Sequence, residues 1–247
     1  MAAVDGKVGL VFVSHSEKIA AGLIELASQM APATAMAAAG GTDEGGIGTS
    51  FEKVTKAIAE VDSGVGVVVL CDLGSAILTA ETALDFLDDE VRERVRIVDA
   101  PLVEGAVAAS VTAETGGALD EVVAAAESAR GSFGEAPDAL MGAPGDTNGA
   151  AGGSVDAARG ASGSLVRTVS IVNKDGLHAR PAAEFVKLAN TFAAKVTING
   201  KDSKSLLGIM SLGLVRGATA TLSTADQSGT DALDALAGLI ESGFGEA

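Results

Sequence analysis

Tryptophan and tyrosine are absent from this 247-residue chain, and seven phenylalanines are its only aromatic residues. Its cores must therefore be packed from Val, Ile, Leu and Ala. A single cysteine, Cys71, excludes an intramolecular disulfide framework and any multi-cysteine metal site, and a reducing cytoplasm is expected. No stretch reaches the ~18–20 consecutive apolar residues needed to span a bilayer. The start, "MAAVDGKVGLVFVSH", lacks a basic n-region and has too short an apolar run for a signal peptide. A soluble, cytoplasmic protein with no membrane contact is expected. Histidine is also scarce, with two in all, His15 and His178.

Positive charge is scarce in the first half. Residues 1–132 carry 8 Lys/Arg against 21 Asp/Glu, whereas residues 165–247 carry 8 of each. The acidic part would repel a polyanion, so nucleic acid is excluded as a partner. The shift in charge also divides the chain into two domains, 1–132 and 165–247. Between them, residues 133–164 hold 8 Gly and 8 Ala with no apolar periodicity, the composition of a flexible linker. A Gly-rich coil of that size has a root-mean-square span of roughly 30 Å.

Before the linker, buried-strand runs alternate with amphipathic segments. "KVGLVFV" (7–13), "VGVVVLCD" (65–72) and "VRIVDA" (95–100) read as strands, with "TAMAAA" (34–39) a weaker one. Ile19, Leu23, Ala27 and Met30 share a helical face, as do Ile77, Ala80, Leu84 and Leu87; further helical patterns cover 102–113 and 119–130. The pattern predicts an α/β domain with a mostly parallel sheet and helices on both faces. In such folds the site lies beyond the carboxyl ends of the strands, where His15 and Asp72 fall. After the linker, strands at 165–172, 195–198 and 218–224 and helices at about 181–193, 206–213 and 229–242 predict a small α+β domain. Its antiparallel sheet carries helices on one face.

"VFVSHSEK" (11–18) sets His15 between a strand and a helix. Ser14 or Ser16 can cap that helix, and Ser14-x-x-Glu17 fits a capping box. Amides at the helix start favour a phosphate, and imidazole is a competent nucleophile near neutral pH. Asp72 could fix the ring's tautomer, leaving the other nitrogen to attack. "DLGSA" (72–76) offers a second helix start, capped by Ser75. The plainer reading is a strand-end histidine bonded to a backbone carbonyl. A metal site is the poorer reading: Asp72 and Glu17 could join His15, but no second imidazole or thiolate is nearby. "GGTDEGGIGTS" (40–50) lacks the P-loop pattern and its lysine, so it is no Walker loop, though it can lie over a site.

"VSHS", "GIGTS", "CDLGSAILTAETALDFL" and "DAPLVEGAVAASVTA" together resemble the phosphotransferase subunits of bacterial dihydroxyacetone kinases, DhaM, whose first domain is a mannose-type enzyme IIA. The resemblance covers about residues 7–130. It implies that His15 accepts and donates a phosphoryl group, that Asp72 is its hydrogen-bonding neighbour, and that the first domain forms a homodimer.

In "NKDGLHARPAAE" (173–184), Pro181 suits the first turn of a helix and places His178 just before its start. The Ala179 and Arg180 amides are then available, and the Arg180 guanidinium matches phosphate oxygens. A capping histidine beside a surface arginine is the plainer alternative. "GLHARPA" and "KSLLGIMSLGL" (204–214) resemble the two signatures of the phosphocarrier HPr, over about residues 165–243, and imply an HPr-like open-faced sandwich. The segment "INGKDSKS" is shorter than in many HPr sequences, so a clipped strand is expected before Ser205. Ser205 matches a serine that some HPr proteins use for regulatory phosphorylation; a helix cap is the other reading.

The resemblance implies a relay. A separate enzyme I, charged by phosphoenolpyruvate, phosphorylates His178, which passes the group to His15. From there it goes to ADP held on the partner DhaL, with DhaK completing the phosphorylation of dihydroxyacetone. On this reading the chain holds no cofactor or metal of its own; ADP/ATP belongs to the partner subunit. The rival readings are an enzyme IIA–HPr fusion serving a sugar permease and a regulatory binding module.

Overall fold

The computed structural model describes residues 3–131 and 164–245. The linker read at 133–164 therefore lies almost wholly outside the described residues.

The first unit opens with β1 (Gly9–Ser14), α1 (Glu17–Ser28), β2 (Met36–Gly40), α2 (Phe51–Val61), β3 (Val67–Cys71) and α3 (Gly74–Asp85). A one-turn α4 (Asp89–Arg92), β4 (Val95–Val98), α5 (Leu102–Glu114) and α6 (Leu119–Glu127) follow, with a turn of 3-10 helix at Ser128–Gly131. All strand pairings are parallel, in the order β2-β1-β3-β4. β1 and β3 are fully buried central strands, which explains their unbroken apolar runs. Alternate residues feed two cores. Val11, Val13, Val67 and Val69 pack with α2 and α3, while Leu10, Phe12, Val68 and Leu70 pack with α1, α5 and α6. This is the α/β class expected, with helices on both faces.

Helix α2 was not foreseen. Its stripe of Val54, Ala57, Ile58 and Val61 is buried, and Ser50 caps it by accepting from the Lys53 amide at 3.1 Å. The α1 stripe is shifted from the expected one: Ala20, Leu23 and Ala27 face inward and Ile19 is exposed.

Gly40 shows how closely β2 approaches the start of α1. A Cβ there would fall 2.6 Å from Glu17 Cα and 2.7 Å from the Ser16 carbonyl oxygen. Both obstacles are backbone, so neither can rotate away. Gly40→Ala is expected to cost about 1–3 kcal/mol in denaturant unfolding, with the His15 turn displaced.

The second unit comprises β5 (Leu165–Ser170), α7 (Ala179–Asn190), β6 (Thr197–Ile198), β7 (Lys201–Asp202), α8 (Leu206–Met210), β8 (Thr219–Thr224) and α9 (Thr230–Glu241). Its antiparallel sheet runs β5-β8-β6-β7. Val169, Ile171, Ile198 and Leu222 meet Phe185, Val186, Leu236 and Ile240 from the helices. β7, the strand before Ser205, is clipped to two residues, and β6 is shorter than the 195–198 expected.

Candidate phosphohistidine sites

The parallel register sets up the first site. Val13 pairs with Cys71, so Ser14 and Asp72 are the next residues out at the carboxyl edge of the sheet. Asp72 hangs there as a four-point acceptor. Its Oδ2 accepts from the Ser14 hydroxyl and the His15 amide, both at 2.8 Å. Its Oδ1 accepts from the Leu73 amide at 2.8 Å and lies 2.9 Å from His15 Nδ1. The other ring nitrogen, Nε2, is 2.8 Å from Ser75 Oγ.

These contacts choose a tautomer. An ionised carboxylate only accepts, so Nδ1 carries the proton and donates to Asp72. Nε2 is left with its lone pair, accepting from the Ser75 hydroxyl. Of the two ring nitrogens, Nε2 is thus the one whose lone pair could serve as a nucleophile. It sits over the start of α3, where the Ala76 amide already donates to the Leu73 carbonyl at 2.9 Å and the Gly74 and Ser75 amides come first in the helix.

Burial pushes the Asp72 carboxyl up, but its bonds from the His15 amide and ring, the Ser14 hydroxyl and the Leu73 amide outweigh this. The net result lies below the usual carboxylate value. The sign follows. A carboxyl depressed on folding contributes stability that is present above its unfolded value, about 4, and is lost as pH falls through the lower folded one. A carbon-13 titration of the Asp72 carboxyl is expected to give a midpoint below that of an ordinary aspartate. Ser14→Ala should move it upward.

Two capping expectations are corrected. Ser16 is the N-cap residue of α1 but makes no side-chain cap bond. Ser14 is no cap either: it is the buried last residue of β1, and its hydroxyl is turned to Asp72. Ser75 lies inside α3, whose N-cap is Leu73; its hydroxyl reaches the imidazole instead of an amide. The residue before the strand-end histidine was the signal for Ser14, since the chain direction there points it at the neighbouring strand's end.

The Gly-rich run at 41–50 is tied down over the site. The Gly48 amide donates to the His15 carbonyl at 2.9 Å, at a φ of 144° that favours glycine. Thr49 and Thr79 share a 2.7 Å hydrogen bond joining the loop to α3, and Ser50 bonds Asp43 within it. The imidazole keeps 22% of its side-chain surface exposed and Asp72 15%. Around them Ile47, Leu73 and Leu78 are 80%, 60% and 64% exposed.

His178 is the exposed N-cap residue of α7, with Ala179 as the first helical residue and Arg180 exposed beside it. Its loop is clamped from behind. The Leu177 amide donates to the Leu214 carbonyl at 2.7 Å, and the Asn173 side chain donates to the Gly176 carbonyl. At Gly176, φ is 70° and a Cβ would lie 2.4 Å from the Leu214 oxygen, so only glycine fits. Ser205 is the N-cap of α8, its hydroxyl accepting from the Gly208 amide at 3.1 Å. None of the hydrogen bonds described at His15 comes from the second unit.

Two family models match the chain. "PTS system fructose IIA component" covers residues 9–123, and "PTS HPr component phosphorylation site" covers 165–242. The class is thus a fusion of two phosphotransferase-system components. The phosphoryl donor subunit DhaM of the PEP-dependent dihydroxyacetone kinase of Providencia stuartii is 35% identical over 97% of this chain and 50% of its own length. The DhaM subunit of kinase 2 of Listeria innocua is 45% identical over 42% of this chain and 84% of its own length. Phosphocarrier protein HPr of Cupriavidus necator is 43% identical over 33% of this chain and 97% of its own. The chain belongs to the DhaM family. It spans about half the length of the longer curated relatives it matches. No helix among the described residues is long and apolar enough to cross a membrane.

Proposed function

We propose that this chain relays a phosphoryl group from His178 to His15 and on to ADP held by a DhaL partner, for phosphorylation of dihydroxyacetone. The domains of the relay are residues 1–132 and 165–247, with 133–164 as the tether. Enzyme I, charged by phosphoenolpyruvate, supplies His178. The observation that carries this reading is the His15 ring, held by Asp72 at one nitrogen with the other presented to a helix start.

In the transfer step Nε2 of His15 attacks phosphorus in line, the bond from phosphorus to the His178 ring breaks, and its electron pair stays on that ring. The product at His15 keeps its Nδ1 proton, so the phosphorylated ring is cationic and the Asp72 carboxylate balances it. Ser75 Oγ and the first α3 amides face the phosphoryl oxygens. At the donor, Arg180 and the Ala179 amide take the corresponding oxygens, with about 0.3–2 kcal/mol from the helix end. So modest a hold suits a carrier that must release its cargo. Such transfers depend mainly on positioning. Tethering raises the donor's effective concentration to the order of millimolar. Ser205 serves in this scheme as the α8 cap.

Incubating the chain with phosphoenolpyruvate, enzyme I, DhaL–ADP, DhaK and dihydroxyacetone should yield dihydroxyacetone phosphate catalytically. Transfer to an enzyme IIB protein and none to DhaL would replace this reading with a sugar-transport one. Phosphorylation with no turnover would favour a regulatory module.

A further inference from the structure

Helix α5 is buried on nearly every side, with Gly105–Val111 and Ala113 all inside. Three directions of burial separate by position. Ala106, Ala109 and Ala113 face the sheet, as the spacing of three and four requires. Val107 and Val111, one turn apart, belong with Met30 to the core cluster of the second unit, which includes Val186 and Leu206. Ala108 joins Ala129 and Ala125 around Leu207, the second residue of α8. A helix that is apolar all round needs cover on its outer face, and here α7 and α8 supply it.

The contact is centred away from His15. Helix α5 leaves the sheet at its carboxyl edge and runs back. Its last residue, Glu114, accepts from the Ala33 amide at 3.0 Å and Thr34 Oγ at 2.7 Å, just before β2. That end also lines a cleft of about 570 Å³ in which Thr112 and Gly117 face Asn190, Lys204 and Ser205. Meanwhile Ile47, Leu73 and Leu78 around the His15 ring stay exposed. A donor in the act of transfer has to cover that rim, and this arrangement leaves it open.

We propose that the outer face of α5, with Ala125 and Ala129 beside it, is a resting dock for the second domain, anchored by Leu207. The dock holds the donor domain off His15 and leaves the rim free for the acceptor protein. This rests on the relay above for its purpose, but the dock itself is testable without it.

The test uses the full chain. Leu207→Cys with Ala125→Cys should be joined by a short bismaleimide within one chain, in a yield independent of protein concentration. Cys71 does not interfere, because burial pushes its thiol up to about 12. Leu207→Asp and, on the other side, Ala125→Arg should each enlarge the radius of gyration in X-ray scattering. Each should also speed single-turnover transfer from His178 to His15 about fivefold or more, as the docked state is depopulated. Cross-links only between chains, or unchanged scattering in both variants, would overturn the dock. Enlarged scattering with unchanged or slower transfer in both variants would overturn its resting role. If the parent chain never passes label to His15, the relay fails instead, and cross-linking and scattering still decide the dock.

Discussion

Asp72→Asn is expected to slow phosphoryl transfer to His15 by roughly 10²- to 10⁴-fold while leaving label on His178 intact. Both carboxylate oxygens of Asp72 accept from a backbone amide, Oδ1 from Leu73 and Oδ2 from His15. An asparagine has one oxygen to offer, so its NH₂ must confront one of those N–H groups whichever way it is turned. If the oxygen stays on the His15 ring, the NH₂ meets the His15 amide and the Ser14 hydroxyl. If it flips, the ring loses its acceptor and the Nδ1–H tautomer its support. Either way the negative charge that balances the phosphorylated ring is gone. Rapid-quench measurement of the first turnover, with His178 prelabelled, reads the step directly. A rate within a few-fold of the parent would mean that Asp72 only holds the turn together.

The second large effect concerns order. His178→Ala should abolish labelling of both histidines from phosphoenolpyruvate and enzyme I, since in the proposed relay His15 receives its phosphoryl group only through His178. Adding a free HPr is expected to restore label to His15 alone. His15→Ala should do the converse, with His178 labelled and delivery to DhaL–ADP lost. The surroundings of His178 explain why its substitution leaves the fold in place. His178 is exposed and contributes nothing to the apolar core of its domain, so alanine there leaves that core intact. Circular dichroism and thermal unfolding close to those of the parent check this. Label on His15 in the His178→Ala protein, with no other HPr present, would reverse the order of the relay.

How much of this was legible in the sequence varies with the physics. The buried parallel strands were, because "GLVFV" and "VVVLC" are apolar without interruption and each is followed at once by a polar residue of the site, Ser14 and Asp72. The pairing of His15 with Asp72 could be suspected from those strand ends, but the register that makes it a contact is a tertiary fact. Helix α2 was missed although Ser50 and the spacing of Val54, Ala57, Ile58 and Val61 announce it; the glycine-rich run before it drew the reading toward a loop. Ser14 was misread because a serine before a helix has two possible partners, the helix amides and whatever the next strand presents. Spacing along one chain cannot tell them apart. The α5 face was likewise visible as an apolar helix, yet its cover comes from residues about a hundred positions away, Leu206 and Leu207 among them.

A pulse of isotopically labelled phosphoenolpyruvate with catalytic enzyme I, followed by peptide mapping under conditions that preserve acid-labile phosphate, tests the central claim most directly. The account predicts label first on the peptide containing His178 and then on the one containing His15, where it is attached at Nε2. Both should be discharged when DhaL–ADP is added. Label confined to one of the two peptides, or attached at Nδ1 of His15, would contradict it.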